Sequence, residues 1–260
     1  MGLAALLVAA TIAATPTSFL QSRQGADGGF AEANGTSSPE LTAWAALGLR
    51  ASGASTGNAL SYLASHEREV TTPTSIALVA LAQSALGREP NALLARLPAK
   101  PRAVNEAIWD ILALRQADRP VPKALVTYVL RSQARNGGFS WSRGLRADSN
   151  DTSFAIQALG SVGVRGKPVS RAVAFLRTFQ RKDGGFELAQ GRGSDAQSTA
   201  VAIQGFLAAR VKPPVRAFRY LAGLRRADGS YRYSARYAAT PVWVTSQVLP
   251  ALARKPLPLR

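Results

Sequence analysis

One motif recurs four times along the 260-residue chain, and this repetition constrains the fold more than any other feature. The motif is clearest in the stretch FLRTFQRKDGGFEL at residues 175–188. Its relatives are FLQSRQGADGGFAE at 19–32, YVLRSQARNGGFSW at 128–141 and YLAGLRRADGSYRY at 220–233, where arginine replaces the glutamine. Because chance does not preserve both spacing and residue type over such lengths, the chain is built from repeated structural units.

A second motif, with apolar residues at helical spacing, recurs between these copies. Its members are TAWAALGL from Thr42, TSIALVAL from Thr74, TSFAIQAL from Thr152 and TAVAIQGF from Thr199, with AIWDILAL from Ala107 and VWVTSQVL from Val242 as weaker members. Together the two motifs predict an all-α fold of six helical hairpins. Where Asp-Gly-Gly is present it is expected to end the first helix, because glycine adopts the positive φ of helix ends.

The hairpins must pack on one another, because a helix pair with two apolar faces cannot bury both alone. Six pairs can close into a ring or form an open arc, and periodicity does not decide between the two. We predict one repeat domain at 16–254, followed by a C-terminal tail at 255–260.

The N-terminal segment at 1–15 is predicted to be a signal peptide or an N-terminal extension. Its uncharged apolar run suits a signal-peptide core and is too short to span a bilayer. The protein is therefore expected to be exported to the cell envelope or beyond, or to be cytoplasmic if 1–15 is not a signal. We expect a monomer.

The residue types present exclude several kinds of chemistry. The chain has no cysteine, so disulfides, thiolate nucleophiles and Cys-ligated metals are absent. The single histidine, His66, lies in the charged stretch SHERE, which predicts an exposed helix or loop. We therefore predict no metal site and no cofactor.

The net charge of +17 arises from 32 Lys and Arg against 15 Asp and Glu. Such a surface attracts anionic surfaces and acidic polymers. The basic residues are scattered and are not interleaved with aromatic residues, so the sequence does not favour nucleic-acid binding.

The segment from Gln180 to Phe186 and its three relatives resemble the prenyltransferase and squalene-oxidase repeat, which is related to the Q-W repeat of triterpene cyclases. The resemblance covers nearly the whole chain after about residue 16. It implies that the six hairpins close into an (α/α)6 toroid of the terpenoid cyclase and protein prenyltransferase superfamily, with inner helices around a central cavity and outer helices outside.

The superfamily has several functions, and the residues present separate them. The resemblance would imply zinc held by Asp, Cys and His in a protein prenyltransferase, and a cysteine in a complement thioester domain; this chain has no cysteine. Class II terpene cyclases, which have an acidic D-x-D-D-T motif at the start of an inner helix, remain. So does ligand binding without chemistry, as in vitamin B12 carriers.

The stretch Asp148-Ser-Asn-Asp-Thr152 stands where that acidic motif stands, and it matches the first, fourth and fifth positions. At the third position Asn150 replaces the carboxylate that donates the proton, and an amide cannot protonate an alkene. We therefore assign no catalytic residue. The alternative is a class II cyclase that uses Asp148 or Asp151.

The next unit repeats this pattern without its second acid. GSDAQSTAVAIQ places Asp195 and Thr199 at the positions of Asp148 and Thr152. Recurrence in two units favours helix capping, in which a side-chain oxygen accepts the free amide hydrogens of the first turn. All four residues are predicted to be structural caps.

Aromatic residues near the starts of the second helices indicate where a ligand would bind. Trp44, Phe154, Trp243 and Tyr237 are predicted to line one mouth of the cavity. We expect an apolar or amphiphilic, isoprenoid-like molecule or a partner there, with any anionic head group meeting the helix N-termini. A further alternative is an exported scaffold whose basic surface docks an acidic polymer.

Overall fold

Twelve helices lie within residues 14–259, the part of the chain that the computed structural model describes. The helices are α1 (Pro16–Gln21), α2 (Pro39–Ala51), α3 (Ala59–Ser65), α4 (Pro73–Ala85), α5 (Asn91–Leu94), α6 (Val104–Gln116), α7 (Lys123–Arg131), α8 (Ser149–Ser161), α9 (Lys167–Arg177), α10 (Ala196–Ala208), α11 (Val215–Leu224) and α12 (Pro241–Leu252). Between 14 and 259 there are isolated β-bridges but no strand, so the fold is all-α. The predicted signal segment lies outside the described residues, except for 14 and 15.

The even-numbered helices form a closed inner ring. Each packs against the even-numbered helices before and after it, and α12 packs against α2, so the arrangement is a ring and not an open arc. The odd-numbered helices pack outside this ring; α9, for example, contacts both α8 and α10. Inner helices such as α10 are buried on almost every side, whereas α9 buries only the apolar stripe that includes Val169, Val173 and Leu176.

The Asp-Gly-Gly segments form tight turns of their own, separate from the helix ends. Helix α9 ends at Arg177, and the chain then forms a hairpin-like turn in which Gln180 and Phe186 pair as an isolated β-bridge. The expectation that glycine ends the first helix is therefore wrong. The expected positive φ is confirmed, at 94° for Gly137 and 93° for Gly184.

The glutamine and aspartate of the repeat stabilise this turn. Asp183 Oδ1 accepts a hydrogen bond from the Gly185 amide at 3.0 Å, and Gln180 Nε2 donates to the Gly184 carbonyl at 3.0 Å. The same bonds are made by the equivalent residues of two other units, Asp27 and Gln24, and Asn136 and Gln133. The spacing of the motif therefore reflects local hydrogen bonding, as in other Asx turns.

The aromatic residue after the turn is fixed to the threonine of the inner helix. The amide of Phe186, which is fully buried, donates to Thr199 Oγ1 at 2.8 Å, and this hydroxyl donates to the Asp195 carbonyl at 2.6 Å. The same aromatic-to-threonine bond joins Phe30 to Thr42, Phe139 to Thr152 and Tyr231 to Thr245. Thr245, and not Val242, is therefore the counterpart of Thr42, because its hydroxyl accepts this bond and a valine side chain has no acceptor.

The glutamine of the repeat can also join one unit to the next, and it is replaced where the ring closes. Gln133 Nε2 shows the regular arrangement, since it also donates to the Pro168 carbonyl of the following unit at 2.8 Å. In the last unit Arg225 replaces the glutamine, and its guanidinium donates to the Ala14 carbonyl at 2.8 Å. The longer side chain thus joins the last unit to the first.

The segment predicted as a tail folds back onto the ring. Leu257 is 2% exposed, and its amide donates to Gln157 Oε1 of α8 at 2.8 Å. The Leu259 amide donates to Gln116 Oε1 at the end of α6, at 2.7 Å. Leu257 therefore packs into the core, and the segment is held against α6 and α8 by these two hydrogen bonds.

Replacing Gly184 with alanine is expected to lower the free energy of unfolding by about 2 kcal/mol. The left-handed backbone costs alanine about 1 kcal/mol, and the new Cβ would lie 2.7 Å from the Arg216 carbonyl oxygen, so the next outer helix must move. Gly191→Ala is the control, because Gly191 has a φ of 88° and a Cβ added there would meet nothing within 4 Å. Urea unfolding followed by circular dichroism measures both; equal losses would contradict a packing role for Gly184.

Candidate functional site

Four aromatic rings from four inner helices meet inside the ring. Trp44, Trp109 and Phe154 are each the sixth residue of their helix, in α2, α6 and α8. The ring centroids of Trp44 and Trp109 are 5.6 Å apart, and those of Trp109 and Phe154 are 4.9 Å apart. Trp243 of α12 lies 6.1 Å from Trp44. Helix α2 is not adjacent to α6 or α8 in the ring of inner helices. The contacts of Trp44 with Trp109 and Phe154 therefore cross the centre of the toroid.

We define the aromatic cluster as Trp44, Trp109, Phe154 and Trp243. Its side chains fill the central axis of the toroid. Trp44, Trp109 and Phe154 are between 4% and 7% exposed, and Trp243 is only partly buried. The cluster lies within the first two turns of its four helices, near the end at which the inner helices begin. We call this end the N-terminal mouth. Trp243 is therefore the member of the cluster that solvent reaches most.

An acid lies beside the cluster. Asp151 is in the first turn of α8, three residues before Phe154, and therefore on the same helix face. Its Oδ1 accepts a hydrogen bond from Asn105 Nδ2 at 2.7 Å. Asn105 is four residues before Trp109 on α6, so the Asn105–Asp151 pair bridges two inner helices next to the aromatic rings.

Burial sets the protonation state of this acid. Burial, together with the neighbouring Asp148 carboxylate, raises the pKa of Asp151 to about 8, although the Asn105 hydrogen bond opposes the shift. Burial also raises the pKa of Asp148, against the hydrogen bond from the Asp151 amide. Asp151 is therefore a neutral carboxylic acid at pH 7, able to donate a hydrogen bond or a proton.

Asp148 and Asp195 occupy matching helix starts. Asp148 Oδ1 accepts from the Asp151 amide at 2.8 Å, and Asp195 Oδ1 accepts from the Ser198 amide at 2.7 Å. The hydroxyls of Thr152 and Thr199 accept hydrogen bonds from the amides of Phe139 and Phe186, the aromatic residues of the two turns. The same hydrogen bonds at the start of the inner helix are thus made in two units, by Asp148 and Thr152 in one and by Asp195 and Thr199 in the other.

The first-turn amides of several inner helices are already hydrogen-bonded to neighbouring units. The donors are Asn105, Ser149 and Ala196, and the acceptors are the carbonyls of Trp141, Leu188 and Tyr233. At α12 the Glu32 carboxylate accepts from the amides of Val242 and Trp243, at 3.1 and 2.8 Å. An anionic head group would therefore find these donors occupied.

Two further aromatic side chains lie near this end of the ring. Tyr237 is 64% exposed and lines a pocket of about 490 Å³ with Asp195 and Tyr233, apart from the aromatic cluster. Trp141 is 55% exposed, and its carbonyl accepts the Asn105 amide at 3.0 Å. Trp141 was not among the residues predicted from the sequence; its position two residues after the Phe of the turn is the available signal.

The other side chains considered in the sequence show no catalytic arrangement. His66 is partly buried, with its ring stacked on Tyr62 at 4.0 Å and its Nδ1 2.8 Å from the Tyr62 carbonyl oxygen. Within residues 14–259, no three His, Cys, Asp or Glu side chains are grouped so that they could hold a metal ion. None of the helices in that range is both long and apolar enough to cross a membrane.

The closed ring and its turns have a counterpart among known protein families. Residues 107–233 match the family model of the prenyltransferase alpha-alpha toroid domain. The described part of the chain has the α/α-toroid fold. This toroid has no significant sequence match among curated proteins.

Solved structures with the same fold include a type II terpene cyclase, a diphosphate synthase and haptocorrin. The type II terpene cyclase MstE from Scytonema is 13% identical, with a TM-score of 0.63 over 92% of this chain and 95% of that chain. The ent-copalyl diphosphate synthase from Streptomyces platensis is 20% identical, with a TM-score of 0.58 over 83% of this chain; the toroid spans 50% of that synthase. Haptocorrin in complex with Cbi is 13% identical, with a TM-score of 0.55 over 91% of this chain and 65% of that chain. At these identities the likeness shows the fold alone.

Proposed function

We propose that this toroid binds an apolar, isoprenoid-like small molecule at the N-terminal mouth of its inner ring and does not transform it. The aromatic cluster carries this proposal. Four aromatic rings from four helices meet at one end of the ring, and one of them, Trp243, remains partly exposed. Such rings offer a flat apolar surface to a hydrocarbon chain.

The polar groups of the mouth favour a ligand without an anionic head group. Glu32 and the carbonyls of neighbouring units already accept the first-turn amides. Asp148 and Asp195 add carboxyl groups at the same end. Protonated Asp151 can donate a hydrogen bond to a hydroxyl group, so an isoprenoid alcohol suits the mouth better than an isoprenoid phosphate.

Ligands of two structural neighbours support binding by a toroid of this kind. A variant of MstE has been solved with the substrate geranylgeranyl dihydroxybenzoate, and haptocorrin has been solved with Cbi. The absence of transformation is proposed because Asn150 stands at the third position of the acidic motif and the aromatic cluster fills the axis beside Asp151.

A second candidate function is that of a class II terpene cyclase, and the neutral Asp151 favours it. A carboxylic acid protonated at pH 7 beside aromatic rings could give its proton to a terminal alkene, and the rings would stabilise the carbocation. Loss of a proton from that cation would end the reaction and reprotonate Asp151. Product analysis after incubation with an isoprenoid alcohol separates this function from binding alone.

Energy transfer from tryptophan to a dansyl-labelled farnesol tests the binding proposal. Trp141→Phe removes the tryptophan outside the aromatic cluster, so the remaining donors are Trp44, Trp109 and Trp243. We expect transfer to persist in this variant and to saturate with one ligand per chain.

Trp243→Ala in the same background is expected to weaken binding at least fivefold, because it removes the most accessible ring of the cluster. Tyr237→Ala is expected to weaken it less, because that ring lines a separate pocket with Asp195 and Tyr233. Equal affinity in the Trp141→Phe and Trp243→Ala proteins, or transfer that is lost with Trp141 alone, would place the ligand elsewhere and contradict the proposal.

A further inference from the structure

An apolar groove lies on the outside of the inner ring, away from the mouth. It is bounded by α5, by the loop at 95–101, and by α6 and α7, and its volume is about 500 Å³. Its apolar walls come from Leu94, Leu97, Pro98, Leu114, Leu125 and the ring of Tyr128. This volume suits a small ligand.

Asp110 lies among the residues that line this groove. It follows Trp109 on α6, and the helical rotation of about 100° per residue turns it from the ring interior towards α5 and α7. Asp110 is 1% exposed, and neither carboxyl oxygen has a hydrogen-bond partner. Glu106, one turn earlier, is engaged instead, because its Oε2 accepts from the Arg102 amide at 2.7 Å.

A buried carboxyl without a partner is costly. Buried polar groups are nearly always hydrogen-bonded, and a buried carboxylate needs donors or a counter-charge to offset its desolvation. An anionic ligand would repel Asp110, and a neutral apolar ligand would leave it unpaired. A cation with N–H donors and an apolar body satisfies both the carboxylate and the walls of the groove.

We propose that the groove between α5, α6 and α7 binds a small apolar amine, whose ammonium pairs with the Asp110 carboxylate. An ammonium supplies three donors, and a carboxylate accepts at both oxygens. The site is separate from the mouth at which the isoprenoid is proposed to bind, so neither proposal depends on the other.

Each element around the groove contributes identifiable groups to its electrostatics. Helix α6 contributes Asp110 itself and carries Glu106, which does not line the groove but acts electrostatically on Asp110, and α7 contributes Tyr128. The loop contributes Lys100, which is exposed and lies at the edge of the groove. Helix α5 contributes only apolar side chains to the lining.

The pH dependence of binding follows from Asp110. Burial, with a smaller contribution from the Glu106 carboxylate, raises the pKa of this carboxyl to about 7. Below that pH Asp110 is neutral and offers no counter-charge, while an alkylamine stays protonated up to about pH 10. Affinity is therefore expected to rise about tenfold between pH 6 and pH 8, in proportion to the ionised fraction of Asp110.

Isothermal titration of the full chain with 4-phenylbutylamine tests the proposal, with 4-phenylbutanol as the uncharged analogue. We expect the amine to bind at pH 8 with at least tenfold higher affinity than the alcohol. Asp110→Asn keeps the shape and removes the charge, and it is expected to lower amine affinity at least tenfold. Glu89→Gln, which removes an exposed carboxylate from the surface, is the matched control and is expected to leave affinity unchanged.

A second variant tests the groove without touching the charge. Ala124 is exposed on α7 and lines the groove, so Ala124→Trp is expected to fill it and abolish amine binding while the fold persists. The proposal is overturned if wild-type protein gives no binding at pH 8, if the alcohol binds as tightly as the amine, or if Asp110→Asn or Ala124→Trp binds the amine as wild type does.

Discussion

Replacing Trp44 with alanine is expected to lower the free energy of unfolding by about 3–5 kcal/mol, the loss typical of a large aromatic side chain removed from a core. Trp44 is 6% exposed, and its ring lies within 6.4 Å of three other rings, from α6, α8 and α12. The substitution leaves a cavity at the centre of the ring, where neighbouring helices cannot collapse without opening contacts elsewhere. Denaturant unfolding monitored by circular dichroism measures the loss.

Trp141→Ala is the matched control for that experiment. Trp141 is 55% exposed, so its removal is expected to cost less than about 1 kcal/mol. Similar losses for the two tryptophans would contradict the central packing of the aromatic cluster.

Replacing Asp151 with asparagine is expected to stabilise the protein by at least about 2 kcal/mol at pH 8, with little effect near pH 4. Burial and the Asp148 carboxylate raise the pKa of Asp151 from 3.8 to about 8 in the folded protein. Between these values the unfolded chain is ionised at this position while the folded chain holds its proton. The contribution of Asp151 to wild-type stability therefore falls as pH rises from about 4 to about 8. Asparagine does not ionise, and its oxygen can still accept the hydrogen bond from Asn105.

The difference between variant and wild type removes the contributions of Asp110 and Asp195, whose pKa values are also raised and which are present in both proteins. It reports Asp151 together with its effect on the neighbouring Asp148. Urea unfolding at pH 4, 6 and 8 gives the profile. A difference that stays constant across this range, or that falls as pH rises, would contradict a protonated Asp151.

Local hydrogen bonding made the repeat units predictable from sequence. The glutamine, the aspartate and the glycines of each turn act within seven residues of one another, as Gln180 and Gly184 show. Ring closure was implied only by the family resemblance, because it depends on contacts between the two ends of the chain. The bond from Arg225 to Ala14 spans 211 residues. Arg225 stands where the other copies of the repeat have glutamine, so alignment of the repeats shows only a mismatched residue there and does not reveal the bond.

The acid site shows the same limit. Asp148 and Asp195 look alike in sequence and occupy like helix starts, as capping predicts. Asp151 differs from its counterpart Ser198 because Asn105, 46 residues away, meets it from another helix. Asp110 follows Trp109 of the aromatic cluster directly in sequence. The groove that it lines is formed in part by the loop at 95–101, whose conformation the repeat motifs do not predict.

Product analysis after incubation with geranylgeraniol tests most directly whether this toroid binds an isoprenoid without transforming it. The protein is mixed with the alcohol and passed through a gel-filtration column, and the material extracted from the protein peak is identified by gas chromatography and mass spectrometry. We expect unchanged geranylgeraniol, at no more than one molecule per chain, and a reduced amount with Trp243→Ala. A protein peak without the alcohol would contradict binding, and a cyclised isomer that disappears with Asp151→Asn would show that the toroid is an enzyme.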